Sequence, residues 1–128
     1  MIREAVSCSV VPMLMGDNKS SRRLARRLFW RFSLRSNIFD SQASSALRFM
    51  LSAKFRPLPE QGDEFTLMSI ERFAYERDGM TFLLIPCTRK ARDFVERNRS
   101  DLENKFIIRS PKAMNRSLRE GEIPYDIT

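Results

Sequence analysis

Two short stretches hold the residues best placed to do chemistry, Gly16-Asp17-Asn18-Lys19-Ser20 and Pro86-Cys87-Thr88-Arg89. Each follows an apolar run and precedes a helix-type pattern. Cys87 has a nucleophile-like setting: a strand end, a helix start behind it and Arg89 beside it, a combination that lowers a thiol pKa. No histidine stands anywhere in the chain to activate it, and a small packing residue is the plainer role of a cysteine at a strand end. No catalytic residue is assigned. The lack of histidine also removes Ser-His and Cys-His nucleophile pairs and most zinc sites. Anion binding is the other chemistry open to these loops, through free N–H groups and the dipole at each helix start, helped by Lys19 and Arg89. The plainer role of Ser20 (or Asn18) and of Thr88 is to cap the helices.

The first loop is not a dinucleotide fingerprint, because Gly16 is followed by no second or third glycine. A Gly-Lys-Ser/Thr phosphate loop is missing too. Asp63 with Glu64, and Glu120 with Glu122, read as solvated turn residues, and no spacing suggests a magnesium cage. Neither a metal nor a cofactor is expected. If a small ligand binds, an anion is favoured, and its contacts are expected to be Asp17, Asn18, Ser20, Cys87, Thr88 and Arg89.

The elements that must position these loops follow from periodicity. Val10 to Met15 reads as a buried strand, with Pro12 an objection to a central place. From Ser20 to Phe32, Ser21, Leu24, Ala25, Leu28, Phe29 and Phe32 share one helix face and most arginines the other. Ser36 to Phe39 is a second strand, Ser41 to Met50 a brief helix and Ala53 to Leu58 a third strand, ended near a sheet edge by Pro57 and Pro59. Phe65 to Tyr75 is a helix with Phe65, Met68 and Phe73 inward, stopped by Asp78-Gly79. Met80 to Ile85 is the most continuous apolar run and so the centre of a sheet. A helix-type pattern then runs from Arg89 towards Phe106, Phe106 to Ile108 is a fifth strand, and Ser110-Pro111 opens a last helix. Alternating strands and helices predict an α/β fold: a doubly wound parallel five-stranded sheet in order 3-2-1-4-5, between two helix layers. Strands 1 and 4 then adjoin at the topological switch point, and the two loops form a crevice there.

With 128 residues the chain is expected to form one domain over residues 1–120, followed by an aperiodic tail over 121–128. Cys8, at the start of the first strand, is expected to be inert. Two cysteines without disulfide-like spacing suit a reducing, cytoplasmic setting. The apolar run from Ala5 to Met15 is not a signal peptide, since Glu4 adjoins it, Pro12 interrupts it and no Ala-x-Ala site ends it. Nothing approaches a membrane span. The net charge is +7, mostly from arginine. It admits a nucleic-acid or phosphate partner, but equally describes a solvated basic surface or a face for an acidic partner. The one tight group is Arg22, Arg23, Arg26, Arg27, Arg31 and Arg35, with Trp30 among them. Arg22, Arg23, Arg26, Arg27, Trp30 and Arg31 are the candidate interaction surface.

Gly16, Ala25-Arg26, Leu34-Arg35-Ser36 and, above all, Leu84-Ile85-Pro86-Cys87 followed by a helix resemble the N-terminal, pre-ATP-grasp domain of bacterial ATP-grasp carboxylate–amine ligases. In that family a strand ends in Gly-x-Asp-x-Asn, an Ala-Arg-x-Phe helix follows, and a later strand ends in Leu-Ile-Pro-Cys-Gly-Asp. The likeness covers roughly residues 8–118 and implies a Rossmann-like domain. It departs at crevice positions: Asn18 and Ser20 replace Asp and Asn, Arg23 a glycine, and Thr88-Arg89 the Gly-Asp pair. By the resemblance the ATP-grasp domains would begin near residue 118, so a non-catalytic binding or protein-interaction module is expected. The alternatives are a ligase subunit completed in trans by a separately encoded ATP-grasp protein, and a small basic nucleic-acid-binding protein. A homodimer is a further expectation.

Overall fold

The computed structural model describes residues 9–121; Cys8 and the tail from residue 122 lie outside them. Strands β1 (Val10–Met15), β2 (Ser36–Asp40), β3 (Ala53–Pro57), β4 (Thr81–Pro86) and β5 (Phe106–Ile108) form one all-parallel sheet in the order β3-β2-β1-β4-β5. The helices are α1 (Lys19–Phe32), α2 (Ser45–Arg48), α3 (Asp63–Tyr75), α4 (Arg89–Arg97), α5 (Arg99–Leu102) and α6 (Pro111–Glu120). This is the Rossmann-like, doubly wound α/β fold that the alternation of periods predicts.

Side chains alternate across a strand, so each central strand feeds two cores. Val10 and Leu14 of β1, with Leu83 and Ile85 of β4, pack against Leu24, Leu28 and Phe32 of α1, Leu47 of α2, and Met114 and Leu118 of α6. Val11, Met13 and Met15, with Phe82 and Leu84, face Ile70 and Phe73 of α3, Phe94 and Val95 of α4, and Leu102 of α5. Burial on both faces explains why β1 and β4 are continuous apolar runs rather than alternating ones.

Pro12 sits in the middle strand without penalty. The Gly16 amide donates to Phe39 O in β2 at 2.8 Å, so by the two-residue period Pro12 also turns its backbone towards β2. Pairing with β2 starts only at Met13↔Asn37, and no ladder bond is lost. The Pro12 carbonyl is met instead by Asn37 Nδ2 at 3.3 Å. β3 is an edge strand paired to β2 alone, which is where Pro57 is tolerated.

Three details depart from the periodicity. The brief helix expected over Ser41 to Met50 is a single turn, Ser45–Arg48, capped by Ser44, whose Oγ accepts the Leu47 amide. The pattern after Thr88 is two helices, because Asn98 leaves the helical conformation and its side chain bonds back to Phe94 O at 2.9 Å. On α3, Phe65 and Met68 are 45% and 53% exposed rather than inward. Phe73 is inward as expected, together with Ile70 and Ala74, and Asp63 and Thr66 on the upstream continuation of that stripe line a cavity. Two polar residues there shift the helix's phase away from the one its apolar residues suggest.

Leu84 is fully buried and pairs with Met13 on one side and Ile108 on the other. Replacing it with alanine is expected to lower unfolding free energy by about 3 kcal/mol, measured by urea denaturation.

Candidate functional site

At the carboxyl edge of the sheet the two loops lean on each other. Gly16 has φ +98°, and a Cβ there would lie 2.3 Å from Thr88 Cγ2. The position needs glycine for its left-handed backbone and for the approach of Thr88. Asn18 caps α1: its Oδ1 accepts the Ser21 amide at 2.7 Å, and Ser21 Oγ accepts the Asn18 amide at 2.9 Å, a complete capping box. Asn18 Nδ2 then reaches across to Cys87 O at 3.1 Å. The Cys87 amide donates to Met15 O at 2.8 Å. Loop one and loop two are therefore stitched together, and the gap between them is filled by their own atoms.

Asp17 is committed too. Its carboxylate accepts Arg22 Nη1 at 2.5 Å and the Ser44 amide at 2.7 Å, while its own amide donates to Asp40 Oδ2 at 2.8 Å. The Asp17 side chain is 3% exposed and that of Arg22 15%. Cys87 is buried, its thiol donating to Ile85 O at 3.4 Å. Burial pushes the thiol up to about 12, with the nearby Arg92 charge only partly opposing it. That is the reverse of an activated nucleophile. Thr88 caps α4, its Oγ1 accepting the Ala91 amide at 3.2 Å. Ser20 and Arg89 are exposed first-turn residues, and Asn18, not Ser20, is the cap of α1.

The open space lies beside this seam, on the α3–α4 side of the sheet. It is a cavity of about 480 Å³. Met15, Phe39, Leu58 and Phe94 supply apolar wall, and Thr88 and Lys90 stand at the start of α4. Of the six expected contacts, Thr88 alone lines it. A clip closes one rim: Arg97 holds Asp63 through two bonds, 2.7 and 2.9 Å, and Asn98 Nδ2 adds a third at 3.0 Å. Hydrogen bonding from Arg97 keeps the Asp63 carboxyl below the usual carboxylate range, against a small desolvation effect. Asp40, Leu58, Asp63, Thr66, Lys90 and Arg97 were not signalled as site residues. The 3-2-1-4-5 order alone places the end of β2 beside that of β1 and the end of β3 next along the same edge, which is the signal that would have found the first two.

The edge carries charge of both signs, with Asp63 and Glu64 in the first turn of α3. α1, α4 and α6 all begin there, and none carries an acidic residue in its first turn. Lys19, Arg89, Lys90 and Lys112 stand there instead, against the positive ends of the helix dipoles. Among the described residues no group of three or more His, Cys, Asp or Glu is arranged to hold a metal ion, and no helix is long and apolar enough to cross a membrane.

The candidate interaction surface divides. Arg22 is drawn off it into the Asp17 pair. Arg27 bonds Asn115 of α6 at 2.6 Å, and the Arg31 guanidinium lies 5.9 Å from the centre of the Phe32 ring. Arg23 and Arg26 are exposed, and Trp30 is 82% exposed, edge-on to Phe29. Comparison with known protein families, curated proteins and solved structures finds no match.

Two outcomes test this geometry. Gly16→Ala should cost about 1–3 kcal/mol, and Thr88→Ser in the same chain should recover part of that loss, read as a coupling in a double-mutant cycle by urea denaturation. In a Cys8→Ser background, Cys87 should resist a thiol reagent at pH 8 in the native protein and react fully in urea. Rapid native labelling would contradict the buried thiol.

Proposed function

We propose that this chain is a binding domain without chemistry of its own, the role that its resemblance to pre-ATP-grasp domains implies. Its ligand is a small molecule with an apolar body and one anionic group, a carboxylate or a phosphate monoester. The cavity beside Thr88 is the observation that carries this reading. It sits outside the carboxyl ends of the strands near the switch point, where open α/β sheets take their ligands. Its wall is largely apolar with a few polar groups, as in small-molecule sites generally.

The ligand class follows from the lining. Met15, Phe39, Leu58 and Phe94 favour an apolar body. Lys90 and the free first-turn amides of α4 favour an anion at one end. Asp40 and Asp63 already have their carboxylates occupied, Asp40 by the Asp17 and Ser41 amides and Asp63 by Arg97 and Asn98. They do not compete for a cation on the ligand; Glu60, the third lining acid, is exposed and holds no such bond among the described residues. The buried, high-pKa thiol of Cys87 offers no nucleophile.

Calorimetry with phenyl phosphate, inorganic phosphate and benzyl alcohol tests the reading. Phenyl phosphate should bind at least tenfold tighter than either half, and Lys90→Glu should weaken it about tenfold, the effect of one charge-assisted contact. Equal responses to inorganic phosphate and phenyl phosphate, or none at all, would remove the cavity from consideration. Micromolar binding of Mg-ATP would replace this reading by a nucleotide-handling one.

A further inference from the structure

The other side of the sheet carries a second surface, made by α1 and α6 together. Between residues 18 and 35 there are seven cationic residues and no acidic one, a sum equal to the net charge of the whole chain. The remaining charges cancel. Lys19, Arg23, Arg26 and Trp30 recur at four-, three- and four-residue steps, so they form one stripe on the outer face of α1, about 16 Å long. All four are exposed. α6 packs alongside, joined by the Arg27–Asn115 hydrogen bond. Its exposed residues Lys112, Arg116 and Arg119 form a second basic stripe against the single acid Glu120. Among the described residues, Arg23, Arg26, Lys112, Arg116 and Arg119 have no acidic partner. By contrast, α3 to α5 mix both signs and hold ion pairs at Asp63–Arg97, Glu96–Arg99 and Arg99–Glu103.

We propose that the α1–α6 face binds single-stranded nucleic acid, with the arginines tracking the phosphate backbone and Trp30 stacking on a base. Three features select this partner. The cations are mainly arginine, whose planar fork matches phosphate oxygens two at a time. The one large exposed apolar group on α1 and α6 is an indole, a platform for any base. Apart from the edge-on Phe29, that indole shares its exposed stripe with Lys19, Arg23 and Arg26, so it lacks the dry surround that an anchor in a protein–protein contact requires. A membrane surface fits less well, because the apolar face of α1 is spent on the core and, on α1 and α6 themselves, Trp30 is the one large exposed apolar side chain; Phe49 and Leu51, also exposed, follow α2. Two helices lying side by side also make a face too broad to enter a duplex groove.

This face and the cavity lie on opposite sides of the sheet, so the failure of either proposal leaves the other standing. Trp30 is the only tryptophan in the chain, which makes its fluorescence a reporter of this one place. The experiment is anisotropy of a fluorescein-labelled 20-mer of thymidylate, read with Trp30 fluorescence over a salt series. Binding should quench Trp30, and log affinity should fall against log salt with a slope of about −3 for four or five phosphates. Arg23→Glu with Arg26→Glu should weaken binding at least tenfold and make the slope shallower by about 1. Trp30→Ala should weaken it about tenfold with the slope unchanged, and Trp30→Phe should recover part of the loss. Circular dichroism melts identify any variant that fails to fold, and Lys112→Glu with Arg116→Glu then serves as the second charge-reversal pair. The proposal is overturned by no binding at 20 mM salt, by binding that both charge reversals leave intact, or by a duplex bound more tightly than the single strand. Equal competition by poly-glutamate would assign the face to an acidic protein, and binding to phosphatidylglycerol vesicles without oligonucleotide binding would assign it to a membrane. Either result also overturns it.

Discussion

The close approach of Gly16 to Thr88 is the constraint on which the rest of this molecule depends. Parallel pairing of β1 with β4 brings the two strand ends together in register, Met15 opposite Pro86. Each strand must then turn away into a helix on the opposite face, and both turns compete for the same few ångströms. A glycine with positive φ on one side and a capping threonine on the other resolve the conflict. Asn18 secures it by capping its own helix while donating to the Cys87 carbonyl. A seam this tight leaves no room for a ligand between the loops. Open volume is displaced towards β2 and β3, whose connections are longer and less closely packed.

The same constraint explains why the acids near the edge read as structure. Asp17 and Asp40 lie in series: the amide of the first is held by the carboxylate of the second, and each carboxylate also holds the backbone amide of a following segment, Ser44 or Ser41. Arg22 neutralises Asp17, whose side chain is almost fully buried. Charge-assisted bonds of this kind are among the stronger ones available to a loop. They tie the start of α1, the end of β2 and the cap of α2 into one unit. A carboxylate with its lone pairs so occupied cannot serve as a general base or a metal ligand without dismantling that unit.

Strand order, helix layers and caps were legible because they rest on local chemistry with few alternatives. Continuous apolar runs meant central strands, Ser110-Pro111 meant a helix start, and Pro57 meant an edge. What escaped was decided at longer range. The phase of α3 was misjudged because Phe65 and Met68 are apolar but sit over solvent, while Asp63 and Thr66 take the inward positions above a cavity. At the helix break the Asn98 side chain bonds both Phe94 O and Asp63, the latter 35 residues away. The loops were placed at the switch point as expected, yet their side chains turned out to face each other. Periodicity shows which loops meet but not whether they touch. Arg22 left the basic surface for the same reason: its partner Asp17 lies off the helix, where helical spacing says nothing.

A small domain that spread seven excess positive charges evenly over its surface would dissolve well and bind little. Here the excess is confined to one layer. The sheet acts as a partition, with mixed and paired charges on the α3–α5 side and mostly unpaired cations on the α1–α6 side. Placing Lys19 and Arg22 in the first turn of α1 costs stability against the helix dipole, of order 0.3–1 kcal/mol for each exposed cation. Only Arg22 recovers that cost, through Asp17. Like charges along one helix face repel further at three- and four-residue spacing. Folding alone gives no reason for a 14-residue helix to hold this arrangement when glutamate at the same positions would stabilise it. The proposed partner would bring negative charge to this face and so release on contact the repulsion stored in the free domain.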